Sequence, residues 1–279
     1  MIFDTRVCAL GEGAFWHPIR GEFFWFDILA KTLHSKTRSW VFDDMVSACG
    51  WVSDTRLMIA SEKDLFVYDI ETDVTSTICD LETNNTVTRS NDGRADPWGG
   101  FWISTMGKNA EPDAGSIYRY FKGELRQLFG NMTIPNAICF APDKSCAYFA
   151  DSATGHVWRQ PLDTLGWPTG DRAVFLDFSD KPFDPDGAVT DANGTFWNAQ
   201  WGAGRVAAYD PSGHFIHAVA LPASQTSCPA FGGPDLTDLF VTSATQGLSD
   251  KDIADTPEHG QTFVVNSVSQ GLAEPRILL

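Results

Sequence analysis

The sequence lacks most of the features that would place the protein in a membrane or on nucleic acid. No apolar run approaches the roughly 20 residues of a membrane span. The start has no basic segment followed by an apolar one, so we expect no signal peptide. Basic residues are few: 20 Lys and Arg stand against 36 Asp and Glu. The resulting net charge of −16 argues against nucleic acid and anionic membrane surfaces as partners.

The chain also lacks the sequence motifs of several common enzyme classes. Its 6 cysteines stand at irregular intervals, with no Cys-x-x-Cys and no Cys/His cluster. We therefore expect free thiols, mainly buried, and a reducing, cytoplasmic compartment. There is no Gly-x-Ser-x-Gly nucleophile elbow and no His-x-x-x-His pair, which argues against the usual serine-hydrolase and zinc-protease mechanisms.

Short aromatic and β-branched runs, separated by Gly, Asp, Asn and Pro, dominate the chain and indicate strands. Six units align, with matching strand positions at intervals of 32, 45, 46, 49 and 43 residues. These positions are Trp25, Leu57, Trp102, Tyr148, Trp197 and Phe240. Periods in the forties with several short strands are typical of propeller blades, and less so of the alternative β-sandwich. The sequence therefore predicts an all-β fold, a six-bladed β-propeller with four-stranded antiparallel blades around a central channel, formed by residues 1–279 as a single domain.

The ends of the chain and two long loops have predicted places in this ring. The N-terminal strand Ile2–Cys8 is expected to pair into the blade that holds the C-terminal strands, because a ring of blades needs closing. The loop Lys108–Ala114 is expected at the mouth of the channel. The loop Gly247–His259, rich in Asp and Glu, is expected on the solvated surface.

Polar residues beside Gly or Pro recur just ahead of the aromatic strand in four units: Glu12, Asn91, Asn136 and Asp186. We expect these residues on loops that converge around the channel. Two carboxylates and two amides offer hard oxygen ligands, which suit Ca²⁺, Mg²⁺ or Mn²⁺, and Zn²⁺ less well. The alternative for each is a plain turn residue, since Asp-Pro-Asp-Gly and Asn-Asp-Gly both favour turns.

Five motifs in this chain resemble those of the SMP-30/gluconolactonase/regucalcin family. They are Leu-Gly-Glu-Gly-x-x-Trp at 10–16, Arg-x-Asn-Asp-Gly-x-x-Asp-Pro at 89–97, Pro-Asn at 135–136, Ala-Asp-Ser at 150–152 and Pro-Asp-Gly at 185–187. Order and spacing match over roughly residues 7–265, and the segment 231–235 is similar to the sugar-lactonase members in particular. The resemblance implies a six-bladed propeller with one divalent metal ion in its channel, be it Ca²⁺, Mn²⁺, Zn²⁺ or Mg²⁺.

The resemblance also implies roles for individual residues. Glu12, Asn136 and Asp186 match the family's metal ligands, and Arg89 and Asn91 match positions that contact substrate or lie beside the metal. The family hydrolyses sugar-acid lactones, and its regucalcin-like members are also described as calcium-binding. A small sugar lactone is thus the implied partner, bound by a monomer or homo-oligomer.

One departure from the family pattern lies after Ser-Thr-Met at 104–106. Several members place an acidic residue within the next few positions, where it contacts sugar hydroxyls. This chain has Lys108 and Asn109 there, followed by Glu111. We expect Asn109 or Lys108 to contact the substrate instead, so the substrate of the best-known members is not assumed.

The sequence hypothesis is metal-dependent hydrolysis of an aldonolactone to the open sugar acid. The metal would polarise the carbonyl, and either Asp186 as general base or a metal-bound hydroxide would activate the attack. Arg89 and Asn91 would orient ring oxygens. His17 is a further candidate base, but a core histidine explains it more simply. Two alternatives stand beside this hypothesis: a non-enzymatic, calcium-binding propeller, and an ester or phosphotriester hydrolase on the same scaffold.

Overall fold

The protein is built from six four-stranded antiparallel sheets, in a computed structural model that describes all residues 1–279. The N-terminal strand is β1 (Ile2–Asp4). Blade 1 contains β2 (Gly11–His17), β3 (Glu22–Asp27), β4 (Thr32–Ser35) and β5 (Ser39–Val41); blade 2 contains β6 (Val46–Trp51), β7 (Arg56–Ser61), β8 (Asp64–Asp69) and β9 (Val74–Asp80); blade 3 contains β10 (Thr88–Ala95), β11 (Phe101–Gly107), β12 (Gly115–Phe121) and β13 (Glu124–Met132). Blade 4 contains β14 (Pro135–Phe140), β15 (Cys146–Asp151), β16 (His156–Pro161) and β17 (Ala173–Asp177); blade 5 contains β18 (Asp184–Thr190), β19 (Phe196–Trp201), β20 (Arg205–Tyr209) and β21 (Phe215–Ala220); blade 6 contains β22 (Thr226–Gly232), β23 (Asp238–Ser243) and β24 (Thr262–Val265).

The sheets form a closed ring, which confirms the predicted six-bladed propeller. The first strand of each blade contacts the first strands of both neighbouring blades, from β2 through β6, β10, β14 and β18 to β22 and back to β2. Each blade runs outward from this innermost strand in chain order. Blade 6 is completed by β1, which pairs antiparallel with β24. The predicted closure by the N-terminal strand is therefore confirmed, over a shorter strand than Ile2–Cys8.

Aromatic and aliphatic side chains fill the spaces between blades. Six buried clusters exist, and each is shared by two adjacent blades. Strand β3 illustrates the cause. Phe23 and Trp25 face the last blade, whereas Phe24 and Phe26 face the second. Because side chains alternate across a strand and both faces are covered, such strands are apolar at nearly every position.

Helical structure is almost absent. One short helix, α1 (Asp250–Asp255), lies in the exposed 247–259 loop, and its start is capped by Ser249. No helix of the structure has the length and apolarity needed to cross a membrane. All 6 cysteines are free thiols, and only Cys79 is not fully buried.

The last residues, 266–279, form a segment without strands that we call the C-terminal strap. Its backbone forms hydrogen bonds with two distant blades: Ile277 N–H donates to Trp51 O (2.9 Å), and Leu278 N–H donates to Gly99 O (2.8 Å). The Glu274 side chain of the strap is 9% exposed and forms an ion pair with the buried Arg94 of β10. The strap thus crosses the end of the channel where the innermost strands finish, and leaves the other end open.

Candidate active site

The open end of the channel widens into a cavity of about 400 Å³. The cavity is lined by all six residues predicted for the site, namely Glu12, Arg89, Asn91, Asn109, Asn136 and Asp186. Lys108 lines it as well. The loop 108–114 contributes to the mouth of this cavity, as predicted. His17 lies elsewhere: it is fully buried, its Nε2 lies 3.0 Å from Ser53 O, and burial lowers its pKa.

The oxygen-bearing residues lie within the innermost strands, so the prediction that they sit on loops was wrong. Glu12 belongs to β2, Asn91 to β10, Asn136 to β14 and Asp186 to β18. Each of these strands carries a β-bulge at the relevant position. Equivalent register shifts occur in all six innermost strands, at 12–15, 46–48, 90–93, 136–139, 185–188 and 226–229. A bulge adds one residue and re-aims its side chain, and the Gly and Pro residues that permit it also favour turns.

Backbone conformation at two bulges helps explain their sequences. Gly13 follows Glu12 with φ +58°, and a Cβ there would lie 2.2 Å from Ser47 O, so only glycine fits. Ala137 follows Asn136 with φ +59°, a left-handed conformation that costs energy for a residue with a Cβ. The fold maintains this strained conformation directly beside a candidate ligand.

Glu12 and Asp186 form what we call the carboxylate pair. They are 6% and 5% exposed, and their side chains approach closely enough to share a proton. Burial, reinforced by the negative charge of Asp92, raises the pKa of Glu12 to about 8. Burial and the charge of Glu12 raise the pKa of Asp186 well above its ordinary value. The pair is therefore short of positive charge, although the Gly13 N–H donates to Glu12 Oε2 at 3.1 Å.

A chain of hydrogen bonds links the bulges of three blades beside this pair. Asn91 Nδ2–H donates to Asn136 Oδ1 at 3.0 Å, and Asn136 Nδ2–H donates to Ser152 Oγ at 3.0 Å. Ser152 Oγ–H in turn donates to Pro185 O at 2.6 Å, next to Asp186. These bonds fix the orientation of the Asn136 amide, because its oxygen accepts from Asn91 and its nitrogen donates to Ser152. Ser152 lies in the Ala-Asp-Ser motif, but the sequence did not indicate this role.

The two basic residues of the cavity wall are both held by protein groups. Arg89 Nη1–H donates to Ser90 O (2.9 Å) and Asn91 Oδ1 (2.8 Å), and burial lowers its pKa to about 10 against the favourable charges of the carboxylate pair. Lys108 forms an ion pair with Glu62. Arg89 is thus buried and oriented, with part of its guanidinium still available to a ligand.

The residue predicted to replace the family's acidic contact is tied to its own loop. The Asn109 backbone N–H donates to Glu111 Oε2 at 3.0 Å, and Asn109 Nδ2–H donates to Glu111 Oε1 at 2.9 Å. Its Oδ1 is left to accept from a bound hydroxyl. Asn109 lines the cavity as an exposed residue, and its part in substrate binding stays a prediction.

Three further residues of the cavity were not predicted. Asp184, Trp201 and Gln246 line the wall formed by blades 5 and 6. Asp184 is exposed, and partial desolvation alone raises its pKa, with no hydrogen bond or neighbouring charge contributing. Asp184 shares the Asp-Pro-Asp-Gly motif with Asp186, which was the only signal available for it.

The donor set fits a divalent cation. No group of three or more His, Cys, Asp or Glu side chains is placed to hold a metal, so a cation would depend on the carboxylate pair and amide oxygen. Burial and neighbouring carboxyl groups raise both pKa values, and a bound cation would stabilise the charged forms. Carboxylate and amide oxygens suit Ca²⁺, Mg²⁺ and Mn²⁺. Glu12, Asn136 and Asp186 would hold it.

Comparisons with known proteins agree with this architecture. The profile of the SMP-30/Gluconolactonase/LRE-like region family matches residues 10–245. An L-arabinolactonase of Azospirillum brasilense is 33% identical over 99% of this chain and 94% of its own. A 6-deoxy-6-sulfogluconolactonase of Pseudomonas putida is 30% identical over 96% of this chain and 94% of its own. The crystal structure of a calcium-binding protein, regucalcin, from Agrobacterium tumefaciens superimposes with a TM-score of 0.97, at 41% identity, over 100% of this chain and 97% of that one.

Proposed function

Since the chain belongs to the SMP-30/gluconolactonase family, we propose that it hydrolyses a sugar-acid lactone to the open sugar acid. The observation that carries the proposal is the buried carboxylate pair at the floor of a 400 Å³ cavity, surrounded by oriented amide and guanidinium donors. A cavity of this size accommodates one sugar ring. Its wall offers hydrogen-bonding groups on several blades, as recognition of a polyhydroxy ligand requires.

The reaction needs one water, one proton acceptor and one proton donor. Asp186 takes a proton from the attacking water as the new C–O bond forms at the lactone carbonyl. The ring C–O bond then breaks, and the same proton passes to the departing ring oxygen, so that water is consumed and a hydroxy acid is released. Burial raises the pKa of Asp186, and a cation bound beside it would offset part of that rise.

Other residues of this chain orient the substrate. Arg89 and Asn91 offer N–H donors to ring or carbonyl oxygens, and Arg89 is buried in a fixed position by its bonds to the backbone and to Asn91. Asn109 Oδ1 accepts from a hydroxyl at the mouth. A divalent cation held by Glu12, Asn136 and Asp186 would supply polarisation of the carbonyl and stabilisation of its developing negative charge.

A second candidate function is calcium binding without catalysis. It is favoured by the oxygen-only donor set and by the likeness to the Agrobacterium protein described as calcium-binding. Both functions use the same three side chains, so only turnover separates them.

The test is a lactonase assay on protein stripped with a chelator. Acid release from a panel of aldonolactones is followed with a pH indicator, before and after addition of Mn²⁺, Zn²⁺, Mg²⁺ or Ca²⁺. We expect no turnover in the stripped protein and recovery with at least one cation. In the protein with the cation restored, Asp186→Asn should remove turnover, because the proton acceptor is lost. Asp180→Asn is its control, because Asp180 is exposed and does not line the cavity. Rates equal to those in buffer for every lactone and cation would favour the binding protein instead.

A further inference from the structure

The cavity wall formed by blades 5 and 6 presents a carboxylate and an indole side by side. Asp184 on β18 and Trp201 on β19 are paired residues. Paired residues on antiparallel strands point to the same face, with Cβ atoms about 4.5–5.5 Å apart. Both side chains line the cavity, and neither makes a hydrogen bond or ion pair within the protein. Their polar atoms are therefore available to a ligand.

The charged residues of the cavity wall differ in their partners. Lys108 is neutralised by Glu62, and Arg89 faces the carboxylate pair. The Asp184 side chain forms no ion pair and no hydrogen bond with the protein. A ligand that places a second negative charge beside it meets repulsion, whereas hydroxyl groups meet a strong acceptor.

We infer that Asp184 and Trp201 form a subsite for the uncharged polyhydroxy part of the lactone, and that Asp184 selects against lactones with an anionic substituent. This inference rests on the proposed lactonase function. The Asp184 carboxylate accepts hydrogen bonds from sugar hydroxyls, and the Trp201 ring covers the apolar C–H face of the sugar while its Nε1–H remains free to donate.

The test uses two substrates that differ at one carbon. D-glucono-1,4-lactone carries a CH₂OH group at C6, and D-glucaro-1,4-lactone carries a carboxylate at the same place. We expect wild-type protein to show kcat/KM at least about tenfold higher for the neutral lactone, the effect of one moderately screened charge pair. Equal values for the two lactones would overturn the inference.

Variants assign the selectivity to a residue. Asp184→Asn keeps the size of the side chain and a hydrogen-bonding oxygen but removes the charge. We therefore expect the ratio of kcat/KM for the neutral lactone to kcat/KM for the anionic lactone to fall about tenfold. Asp180→Asn removes an equal charge four positions earlier, outside the cavity, and should leave the ratio within about twofold. Trp201→Ala should raise KM for both lactones, and Trp201→Phe should restore most of the loss. An unchanged ratio in Asp184→Asn contradicts the inference while leaving the lactonase function intact.

A binding measurement tests the subsite without turnover. Titration with 1,5-anhydro-D-glucitol, a neutral cyclic polyol, and with D-glucuronate is followed by tryptophan fluorescence. The neutral polyol should bind more tightly than the anion, and Asp184→Asn should narrow the difference. If every lactone fails as a substrate but this pattern holds, the proposed reaction fails and the subsite stands; if the pattern is absent, the subsite fails.

Discussion

Asn91 donates a hydrogen bond from Nδ2 to Asn136 Oδ1 at 3.0 Å and thereby joins the innermost strands of blades 3 and 4 at the level of the carboxylate pair. The same Nδ2 group lies 3.0 Å from Pro135 O. Both partners belong to buried residues, so this one amide group satisfies two acceptors at once. Asn91 therefore both joins two blades and orients Asn136, a candidate ligand.

Replacement of Asn91 tests that relationship. Asn91→Ala leaves Asn136 Oδ1 without its donor and frees the amide to rotate, so the free energy of unfolding should fall by about 1–3 kcal/mol. Lactone turnover should fall as well, since Arg89 also loses an acceptor. Urea denaturation measures the first effect. Asn193→Ala, at an exposed turn, is the matched control and should stay within about 0.5 kcal/mol of wild type.

Removal of one carboxylate should affect activity and stability in opposite directions. Asp186→Asn should lower kcat by at least about 10²-fold, because the proton acceptor is lost. In the metal-free protein the same change should increase the free energy of unfolding, since an amide avoids the cost of burying a carboxyl group that must either stay charged or take up a proton. Mass spectrometry should exclude deamidation of the new amide beside Gly187. Wild-type turnover in the intact variant would refute the role of Asp186.

The carboxylate pair also predicts a pH dependence of stability. Glu12 has a folded pKa of about 8, against 4.5 for an ordinary glutamate, so the folded protein holds the proton more tightly than the unfolded chain. The contribution of Glu12 to the free energy of unfolding is present in full below about pH 4.5. It is lost as pH rises toward 8, by at most about 1.4 kcal/mol per pH unit. His17 and His34, whose pKa values burial lowers, contribute the opposite slope below about pH 6.5.

The comparison that isolates this effect is wild type against Glu12→Gln in the presence of a chelator. The stability of wild type relative to the variant should decline between pH 5 and 8, because the histidine contributions cancel. Excess Mn²⁺ should remove the decline, as a cation replaces the shared proton and binds better at higher pH. Denaturant midpoints at four pH values measure both. If the difference in stability between wild type and Glu12→Gln stays constant with pH in the chelator, the pKa of Glu12 is not raised.

At the closed end of the channel, the C-terminal strap should be essential for stability. Glu274→Ala leaves the buried Arg94 without its ion-pair partner and should lower the free energy of unfolding by about 3–5 kcal/mol. Glu124→Ala removes an exposed partner of Arg126 and should cost less than about 1 kcal/mol. The double replacement Arg94→Met with Glu274→Leu should recover much of the loss. Equal effects of the two single changes would contradict the burial argument.

The amino-acid sequence by itself determined the number of blades, the closure by the N-terminal strand and the identity of the oxygen-bearing residues. Those features depend on local patterns, namely alternating aromatic strands and Gly- or Pro-flanked polar residues, that repeat along the chain. Glu12 and Asp186 were recognisable because each stands in such a repeat.

Only the tertiary structure decided how these residues are presented. The β-bulges that carry Glu12 and Asn136 look like turns in the sequence, because bulges and turns use the same residues. The ion pair of Arg94 with Glu274 joins segments 180 residues apart, which no local pattern encodes. The pairing of Asp184 with Trp201 depends on the register of β18 and β19, which shifts at the 185–188 bulge. The raised pKa values likewise come from burial by six blades together, a property that the chain acquires only when the ring closes.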